Sequence, residues 1–305
     1  MQAENIFEKP FTGTHGTPQF SAIDDSMWMP AIDRGIELAR QEIDAITRQR
    51  SRPDFENTIV ALERTGEDLN RVLNVFYPLL SANASDKMME VAVEASAKLS
   101  DYSTSIVLNE ALWHRIKAVY DDRELFNLNG EDRMLLQKTY DSFALSGAML
   151  QGDDREKYRA LSSELSALTT EFGQNVLKEM SSYEIWLTAD DLAGLPASSV
   201  NAAAEAAEAK GRKGEYLFTL DQPVHMAFMK YSARPDLRER MYRLYTSRNT
   251  KGEYSNIENA KRIAALRLEI AGLLGSPDYA THTLKRTMAE KPEAVFDLLG
   301  RLREA

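Results

Sequence analysis

Cysteine is absent from the chain, and only four of its 305 residues are histidine. Without cysteine there can be no disulfide framework, no thiolate metal site and no cysteine nucleophile. No histidine has a second histidine at i+4, the spacing that places two imidazoles on one helix face for zinc. We expect each to be a cap, surface or packing residue, while a cluster with carboxylates in space stays open. The four are His15, His114, His225 and His282.

The sequence also lacks the short motifs of phosphate binding and serine hydrolysis, namely G-x-x-x-x-G-K-[ST], G-x-G-x-x-G and G-x-S-x-G. It has no excess of basic charge, because 37 Lys and Arg stand against 47 Asp and Glu, for a net charge of −10. That balance gives no electrostatic basis for binding nucleic acid or an anionic membrane. No apolar run approaches the roughly 20 residues of a transmembrane helix. We assign no catalytic, cofactor-binding or metal-binding residue to this chain.

Targeting signals give little guidance about the compartment. The first five residues lack the charged and apolar regions of a signal peptide. The absence of cysteine fits the cytoplasm and a bacterial periplasm equally well. We expect a cytoplasmic protein and keep the periplasm as the alternative.

Apolar residues recur at helical spacing through most of the chain and predict a mainly α fold. No repeat of fixed period is visible, so a regular solenoid is not expected. Residues 1–30 are rich in Thr, Gly, Pro and Phe and predict an extended arm that docks through Phe7, Phe11, Phe20, Trp28 and Met29. The helices predicted next are 32–46, 55–76 (its end disturbed by Pro78), 86–107, 109–119, 130–147 and 154–180, the last capped by Asp153 or Asp154.

The apolar period changes to two around residues 183–187 and again around 216–220, as in half-buried strands. These segments predict a small antiparallel β-ribbon near 183–220, set into the helices. An Ala-rich helix near 198–210, closed by Gly211, separates the two strands. Helices resume near 223–232, 235–248 and 255–274. In the last, Ser255 and Glu258 have capping-box spacing, and Gly275 and Pro277 follow the end.

The last residues, 292–305, begin a helix with Pro292 at its first position. Val295, Leu298, Leu299 and Leu302 lie on one face of it. No cap, helix-ending glycine or polar tail follows this apolar stripe. We therefore expect a truncated chain, with a short frayed helix as the alternative.

Several segments, in order, resemble one family of enzymes. They cover about residues 20–305 and include a "P-x-F-x-N-T-I … L-E-x-x-G" signature, an "L-x-G-L-P" turn and an "R-x-x-L-R-E" segment. The resemblance is to the zinc metallopeptidases of the thimet oligopeptidase, oligopeptidase A and bacterial peptidyl-dipeptidase family. The matching stretches are 53–59 with Leu62, Glu63 and Gly66; Ile23 and 30–32; 192–196; 231–242 with Arg248; Asn256 and Asn259; 266–269 and 271–275; and Tyr279, Ala280, Met288, Ala289 and Pro292.

The resemblance implies a zinc peptidase that hydrolyses short peptides in a deep channel between two helical halves. The family's H-E-x-x-H helix and later glutamate lie C-terminal to the region matched here, so no zinc ligand is carried over. The chain would then be an N-terminal half, inactive alone, whose partner is the C-terminal catalytic half. The implied parts are an arm (1–30), a helical accessory domain with the ribbon (31–221) and the first helices of the peptidase region (222–305).

Residues that stand out are expected to have structural roles. Phe55 and Ile59 are interpreted as core residues, and Trp28, Trp113 and Trp186 as packing anchors. Asn57 and Asn256 are expected to cap or bridge buried backbone groups. We expect the three arginines of one helix to form ion pairs with Glu239 or Asp236: Arg238, Arg243 and Arg248.

Two functions from different classes remain open. In the first, the chain is the N-terminal part of a zinc oligopeptidase or peptidyl-dipeptidase, with overall likeness favouring the bacterial peptidyl-dipeptidases. In the second, it is a free-standing, metal-free helical scaffold that binds peptides or a protein partner. The open apolar stripe of the last helix favours the first.

Overall fold

A computed structural model describes residues 5–304, so the first four residues of the expected arm, and Ala305, lie outside the described residues. The fold is mainly α with one small antiparallel ribbon, as predicted. No helix in the described range is both long and apolar enough to cross a membrane. The elements are α1 (Trp28–Thr47), α2 (Ala61–Glu63), α3 (Glu67–Asn83), α4 (Asp86–Val107), α5 (Glu110–Asp121), α6 (Gly130–Leu145), α7 (Gly152–Ser182), β1 (Ile185–Leu187), α8 (Ala197–Ala209), β2 (Tyr216–Phe218), α9 (Gln222–Tyr231), α10 (Pro235–Thr246), α11 (Ile257–Leu273), α12 (Tyr279–Leu284) and α13 (Pro292–Glu304).

The chain forms two compact units. Unit 1 runs to Ala167 and resumes at Ala264, and unit 2 comprises Leu168–Ile263. The borders of the units fall inside α7 and α11. This division by packing is a different one from the boundary expected near residue 222, which follows the family resemblance and stays a prediction.

The N-terminal arm docks on unit 1 largely as predicted. Between residues 5 and 27 it forms short 3-10 turns joined by extended backbone. Phe7 and Trp28 are buried, and Phe11 and Met29 pack partly buried against the same core. Phe20 is 55% exposed, so the prediction that it docks is wrong. It lies in its own 3-10 turn at the surface.

The first core of unit 1 lies beneath α1. The apolar stripe of α1 packs on α3 and α4, and Ile32 is completely buried. The helices approach closely at Gly35, where an added Cβ would lie 2.8 Å from the Leu69 Cα. Each fully buried aliphatic side chain in such a core contributes about 1.5–3 kcal/mol. α1 is thus fixed along its length by apolar burial.

The helix predicted over 55–76 is broken in the structure. A π-helical turn, Phe55–Val60, leads into α2, and α3 starts only after Gly66. Gly66 has φ +75°, a left-handed conformation that glycine adopts without steric cost. Its N–H donates to the Glu42 carboxylate at 2.7 Å. The prediction that Pro78 disturbs the helix end is also wrong, because α3 continues to Asn83.

The second core of unit 1 joins the far end of α1 to α5, α6 and the π-helical turn. The bounds of α4, α5 and α6 agree with the predicted helices to within about two residues. α7 begins at Gly152, so Asp153 and Asp154 lie in its first turn and not at the N-cap position predicted for them. Their carboxylates there favour the positive end of the helix dipole.

Unit 2 is built around the predicted ribbon. β1 pairs antiparallel with β2, with Ile185 opposite Phe218 and Leu187 opposite Tyr216. The buried side of the ribbon packs with Ala203 of α8 and with residues of α9 and α10. These three helices confirm those predicted near 198–210, 223–232 and 235–248.

The C-terminal helices differ in detail from the predictions. α11 begins at Ile257 directly after Asn256, so the capping box predicted at Ser255 is wrong. Gly275 follows its end with φ +70°, as expected for a helix-terminating glycine. The short helix α12 was not predicted, and its N-cap is Asp278. α13 starts at Pro292, as predicted.

Candidate functional site

The four histidines lie on four separate elements of the structure. His15 is exposed in the arm and His114 is exposed on α5, while His225 and His282 are half-buried on α9 and α12. Within residues 5–304, no three His, Asp or Glu side chains come close enough to hold one metal ion. The two exposed and two half-buried positions are those of surface and packing residues, and the absence of a metal ligand among the histidines stays a prediction.

Asn57 belongs to a buried polar cluster that holds the π-helical turn. Asn57 N donates to Asp54 Oδ1 at 2.7 Å, and Asp54 N donates to Asn57 Oδ1 at 3.1 Å, a reciprocal cap. Arg115, from α5, donates to Asn57 Oδ1 at 2.6 Å and to Thr58 Oγ1 at 3.1 Å. It also donates to the Gln49 and Ser51 carbonyls. The capping role predicted for Asn57 is confirmed.

The hydrogen-bond acceptors of Arg115 are neutral, and burial lowers the pKa of its guanidinium while the charge of Asp54 acts in the opposite direction. A buried charge persists only where hydrogen bonds satisfy it. Sequence inspection missed Arg115, because a single arginine among apolar neighbours on α5 has no distinctive spacing. Its role is to tie α5 to the chain that precedes α2.

Asn256 is part of a second polar network, in unit 2. Its Nδ2 donates to the Phe172 carbonyl and its Oδ1 accepts from Asn175 Nδ2, both at 3.0 Å. Asn249, whose φ is +54°, donates from Nδ2 to the carbonyls of Asn175 and Tyr254, both at 2.9 Å. The predicted bridging role of Asn256 is confirmed.

Glu179 completes this network as a buried carboxylate. It accepts the backbone N–H of Asn249 and, at 2.9 Å, the hydroxyl of Tyr183. Burial, followed by the hydrogen bond to Glu179, raises the pKa of Tyr183, so its hydroxyl remains a donor. The network fastens the loop between α10 and α11 to the C-terminal part of α7.

The arginines of α10 follow the prediction only in part. Arg243 pairs with Glu239 at 2.7 Å, as predicted. Arg238 instead donates to the Ser232 carbonyl, and Arg248 donates to the Tyr245 carbonyl at 2.8 Å. The ion pairs predicted for Arg238 and Arg248 are wrong, because each guanidinium donates to a backbone carbonyl. Asp236, one of the two predicted partners, forms its ion pair with Arg234.

Tyr245 lies between two nitrogen-bearing side chains. The imidazole of His225 stacks on its ring with centroids 3.7 Å apart, and the Arg248 guanidinium lies 3.6 Å from its centroid. Burial, and secondarily the charge of Arg248, lowers the pKa of His225. The imidazole is therefore neutral near pH 7 and acts as a packing group.

The tryptophans and core residues mostly have the predicted roles. Phe55, Ile59, Trp28 and Trp113 are buried. Trp186 is half-buried on the ribbon, and the Arg212 guanidinium lies 4.0 Å from its ring. Trp186 thus forms a cation–π contact, and the packing role predicted for it stays a prediction.

The α13 face is the main exposed apolar surface near the end of unit 1. We define it as Phe296, Leu298, Leu299 and Leu302, which are 51–71% exposed. Met288, in the segment before the helix, is fully exposed as well. Exposed apolar side chains grouped on one helix are typical of surfaces that contact another protein. The assignment of no catalytic residue to this chain stays a prediction.

Comparison with known proteins identifies relatives over nearly the whole chain. Residues 228–305 match the model of Peptidase family M3. The dipeptidyl carboxypeptidase of Escherichia coli (strain K12) is 32% identical over 98% of this chain and 44% of its own length. Oligopeptidase A of Haemophilus influenzae is 32% identical over 97% of this chain and 44% of its own length. A probable cytosolic oligopeptidase A of Arabidopsis thaliana is 26% identical over 99% of this chain and 44% of its own length.

The chain therefore spans less than half the length of these curated relatives. The resemblance drawn from the motifs at 53–66, 192–196 and 231–248 is confirmed by independent matches, one of which covers 228–305. By these matches the chain is related to the peptidases of family M3.

Proposed function

We propose that this chain is the N-terminal part of a zinc-dependent M3 oligopeptidase or peptidyl-dipeptidase that hydrolyses short peptides. The relatives that support it are named oligopeptidase A and dipeptidyl carboxypeptidase, and they align along almost all of the chain. The observation that carries the proposal is that this alignment uses only 42–44% of each bacterial relative. The remaining length leaves room for a catalytic part.

In this proposal the chain contributes a wall of the substrate channel and no zinc ligand. No group of three or more His, Asp or Glu side chains within residues 5–304 could hold a metal ion, which supports assigning the zinc to an H-E-x-x-H helix in the remaining polypeptide. There the metal would supply Lewis-acid chemistry for peptide hydrolysis. The 305-residue chain by itself is expected to be inactive. We propose the cytoplasm as its compartment.

The α13 face supports a partner of this kind. Its side chains have the spacing of a core-facing helix but remain exposed in the described structure. Burying four such side chains would contribute several kcal/mol at about 25 cal/mol per Å² of apolar area. We assign the face to the C-terminal catalytic half of the same polypeptide.

A reconstitution experiment tests the proposal. The 305-residue chain is mixed with the polypeptide encoded after Ala305, and hydrolysis of a quenched fluorescent oligopeptide is followed with zinc present. We expect no hydrolysis by the chain alone and zinc-dependent hydrolysis by the mixture. Hydrolysis by the chain alone, or a stop codon directly after Ala305, would contradict the proposal.

Two double variants of α13 separate docking from folding. Leu298→Gln with Leu299→Gln removes apolar area from the α13 face, and we expect it to weaken reconstitution at least tenfold. Arg301→Gln with Glu304→Gln alters the opposite side of the helix and should leave reconstitution unchanged. Equal reconstitution by both double variants would refute the assignment of the α13 face.

A further inference from the structure

A groove in unit 1 is not used by the proposed function. Its volume is about 620 Å³, and it lies between the end of α6, the first half of α7, the end of α11 and α12. This volume is in the range of small-molecule sites. The residues that line the groove all belong to unit 1, so the groove is a property of that unit.

Part of the groove lining is apolar. Leu145, Leu165, Ile270 and Leu274 line it from three different helices. An apolar surface of this kind accommodates an aliphatic or aromatic group and removes it from water. Any ligand that fills the groove therefore needs an apolar body.

The groove lining also carries positive charge and no acidic side chain among the described residues that form it. Arg286 is the charged group of the lining, and its nearest partner is the Ser142 hydroxyl, with Nη1 and Oγ 3.3 Å apart. Among residues 5–304 no ion pair joins Arg286 to a carboxylate. In a chain of net charge −10, an arginine that forms no ion pair is available to an anion.

Two tyrosines line the same groove as this arginine. Burial raises the pKa of Tyr158, so its hydroxyl stays protonated. Tyr279 also lines the groove, and the Arg267 guanidinium lies 5.0 Å from its ring centroid. Arg267 adds positive charge behind the lining, since no ion pair to a carboxylate involves it within the described part of the chain.

His282 of α12 lines the groove as a neutral group. Its Nδ1 is 3.4 Å from Ser276 Oγ, which also accepts a hydrogen bond from Lys285 Nζ at 2.8 Å. Burial, and then the charge of Lys285, lowers the pKa of His282. A neutral imidazole offers an N–H donor near pH 7 without adding a formal charge.

We propose that this groove binds a small monocarboxylate with an apolar side group, whose carboxylate contacts Arg286 and whose apolar body contacts Leu274 and Ile270. A single arginine suits a monocarboxylate, which it can bind through two parallel N–H···O bonds. A phosphate or polyanion would require more cations than the lining supplies. The inference does not depend on peptide hydrolysis and is tested on the 305-residue chain alone.

Calorimetric titration with N-acetyl-L-phenylalanine tests the proposal, with N-acetyl-L-phenylalaninamide as the uncharged match. We expect the acid to bind with a dissociation constant on the order of 1 mM or below. The amide should bind at least about tenfold more weakly, because it lacks the charge-assisted bonds. Equal affinity for the two compounds, or no binding of the acid, would overturn the proposal.

Variants locate the binding within the molecule. Arg286→Gln, at an exposed position, should weaken the acid about tenfold and leave the amide unchanged. Arg50→Gln alters another exposed arginine of unit 1, outside the groove lining, and should change neither. An unchanged affinity in Arg286→Gln would refute the assignment.

A variant that fills the groove and a competitor without an apolar body test whether the apolar lining contributes to binding. Ser162→Phe places a ring in the groove and should abolish binding of the acid, with the circular dichroism spectrum unchanged. Inorganic phosphate should compete only weakly, since it has no apolar body. Acid binding that persists in Ser162→Phe, or full displacement by an equal concentration of phosphate, would overturn the proposal.

Discussion

Two helices of unit 1, α1 and α13, carry the same sequence pattern and have opposite environments. Both present aliphatic residues at spacings of three and four. In α1 these residues lie against α3 and α4, and Ile32 is completely buried. In α13 the corresponding residues face solvent, with Leu302 64% exposed. Hydrophobic periodicity thus identifies the face that needs a partner but does not say whether the partner is present.

The difference has a physical origin in what surrounds each helix. α1 lies within two apolar cores, and glycine at position 35 permits α3 to approach closely. α13 comes after a short helix and has no comparable core in the described structure. Apolar side chains of the same kind therefore stabilise the fold in α1, whereas in α13 they remain available for contact with another protein.

The largest expected effect comes from truncating a side chain on the buried face of α1. Ile32→Ala should lower the free energy of unfolding of unit 1 by about 2–5 kcal/mol, because it leaves a cavity between α1, α3 and α4. Urea titration with hydrogen exchange of α1 and α3 peptides measures it. A loss below about 1 kcal/mol would mean that this core collapses around the alanine.

The next effect tests the close approach of α1 to α3. Gly35→Ala should destabilise unit 1 by about 1–3 kcal/mol, since the new methyl would lie 2.8 Å from the Leu69 Cα. The intrinsic preference of helices for alanine acts in the opposite direction and is smaller. Thermal denaturation of this variant gives the sign; a raised melting temperature would contradict the tight contact.

The matched glycine of α13 should behave in the opposite way. Gly300 has nothing within 4 Å of an added Cβ. Gly300→Ala should therefore stabilise the helical state of α13 by about 0.5 kcal/mol, because alanine loses less backbone entropy than glycine when the helix forms. Slower amide exchange in residues 296–304 would verify it, and faster exchange would show an unseen contact at this glycine.

The smallest effect is expected on the exposed face itself. Leu299→Ala should change the free energy of unfolding by less than about 0.5 kcal/mol, as at other exposed positions. It should also lower the binding of a dye specific for exposed apolar surface. A loss as large as that expected for Ile32→Ala would show that the α13 face is buried in solution, for example in a dimer.

Local sequence signals predicted much of this fold and little of the groove. The stripe of α1, the alternation at Ile185 and Leu187 and the terminating Gly275 are each encoded by neighbours within one or two turns. The break at Gly66 was missed because the apolar spacing continues on both sides of it. The deciding contact, Glu42 with the Gly66 N–H, joins residues 24 positions apart.

The polar sites could not be predicted for a similar reason. Arg286 and Tyr158 lie more than a hundred residues apart, and only the packing of α7, α11 and α12 brings them to one groove. Asn256 stood out in the sequence as a polar residue expected to cap or bridge a buried backbone group. Its partner Asn175 carried no such signal on α7. Side chains assembled from distant segments leave no periodic trace in the sequence.

The polar network around Asn249 predicts how the protein responds to a cut in the loop between α10 and α11. Both ends of the loop are held, because Asn256 N donates to the Asn249 carbonyl at 2.7 Å and Glu179 accepts the Asn249 N–H. The exposed tip, at Lys251 and Gly252, carries none of these bonds. A protease site inserted between them should yield a nicked protein whose two fragments co-elute in native buffer and separate only in denaturant. We expect the native fold to tolerate a cut at this point, because hydrogen bonds of Asn256 connect the segment after the cut to residues before it.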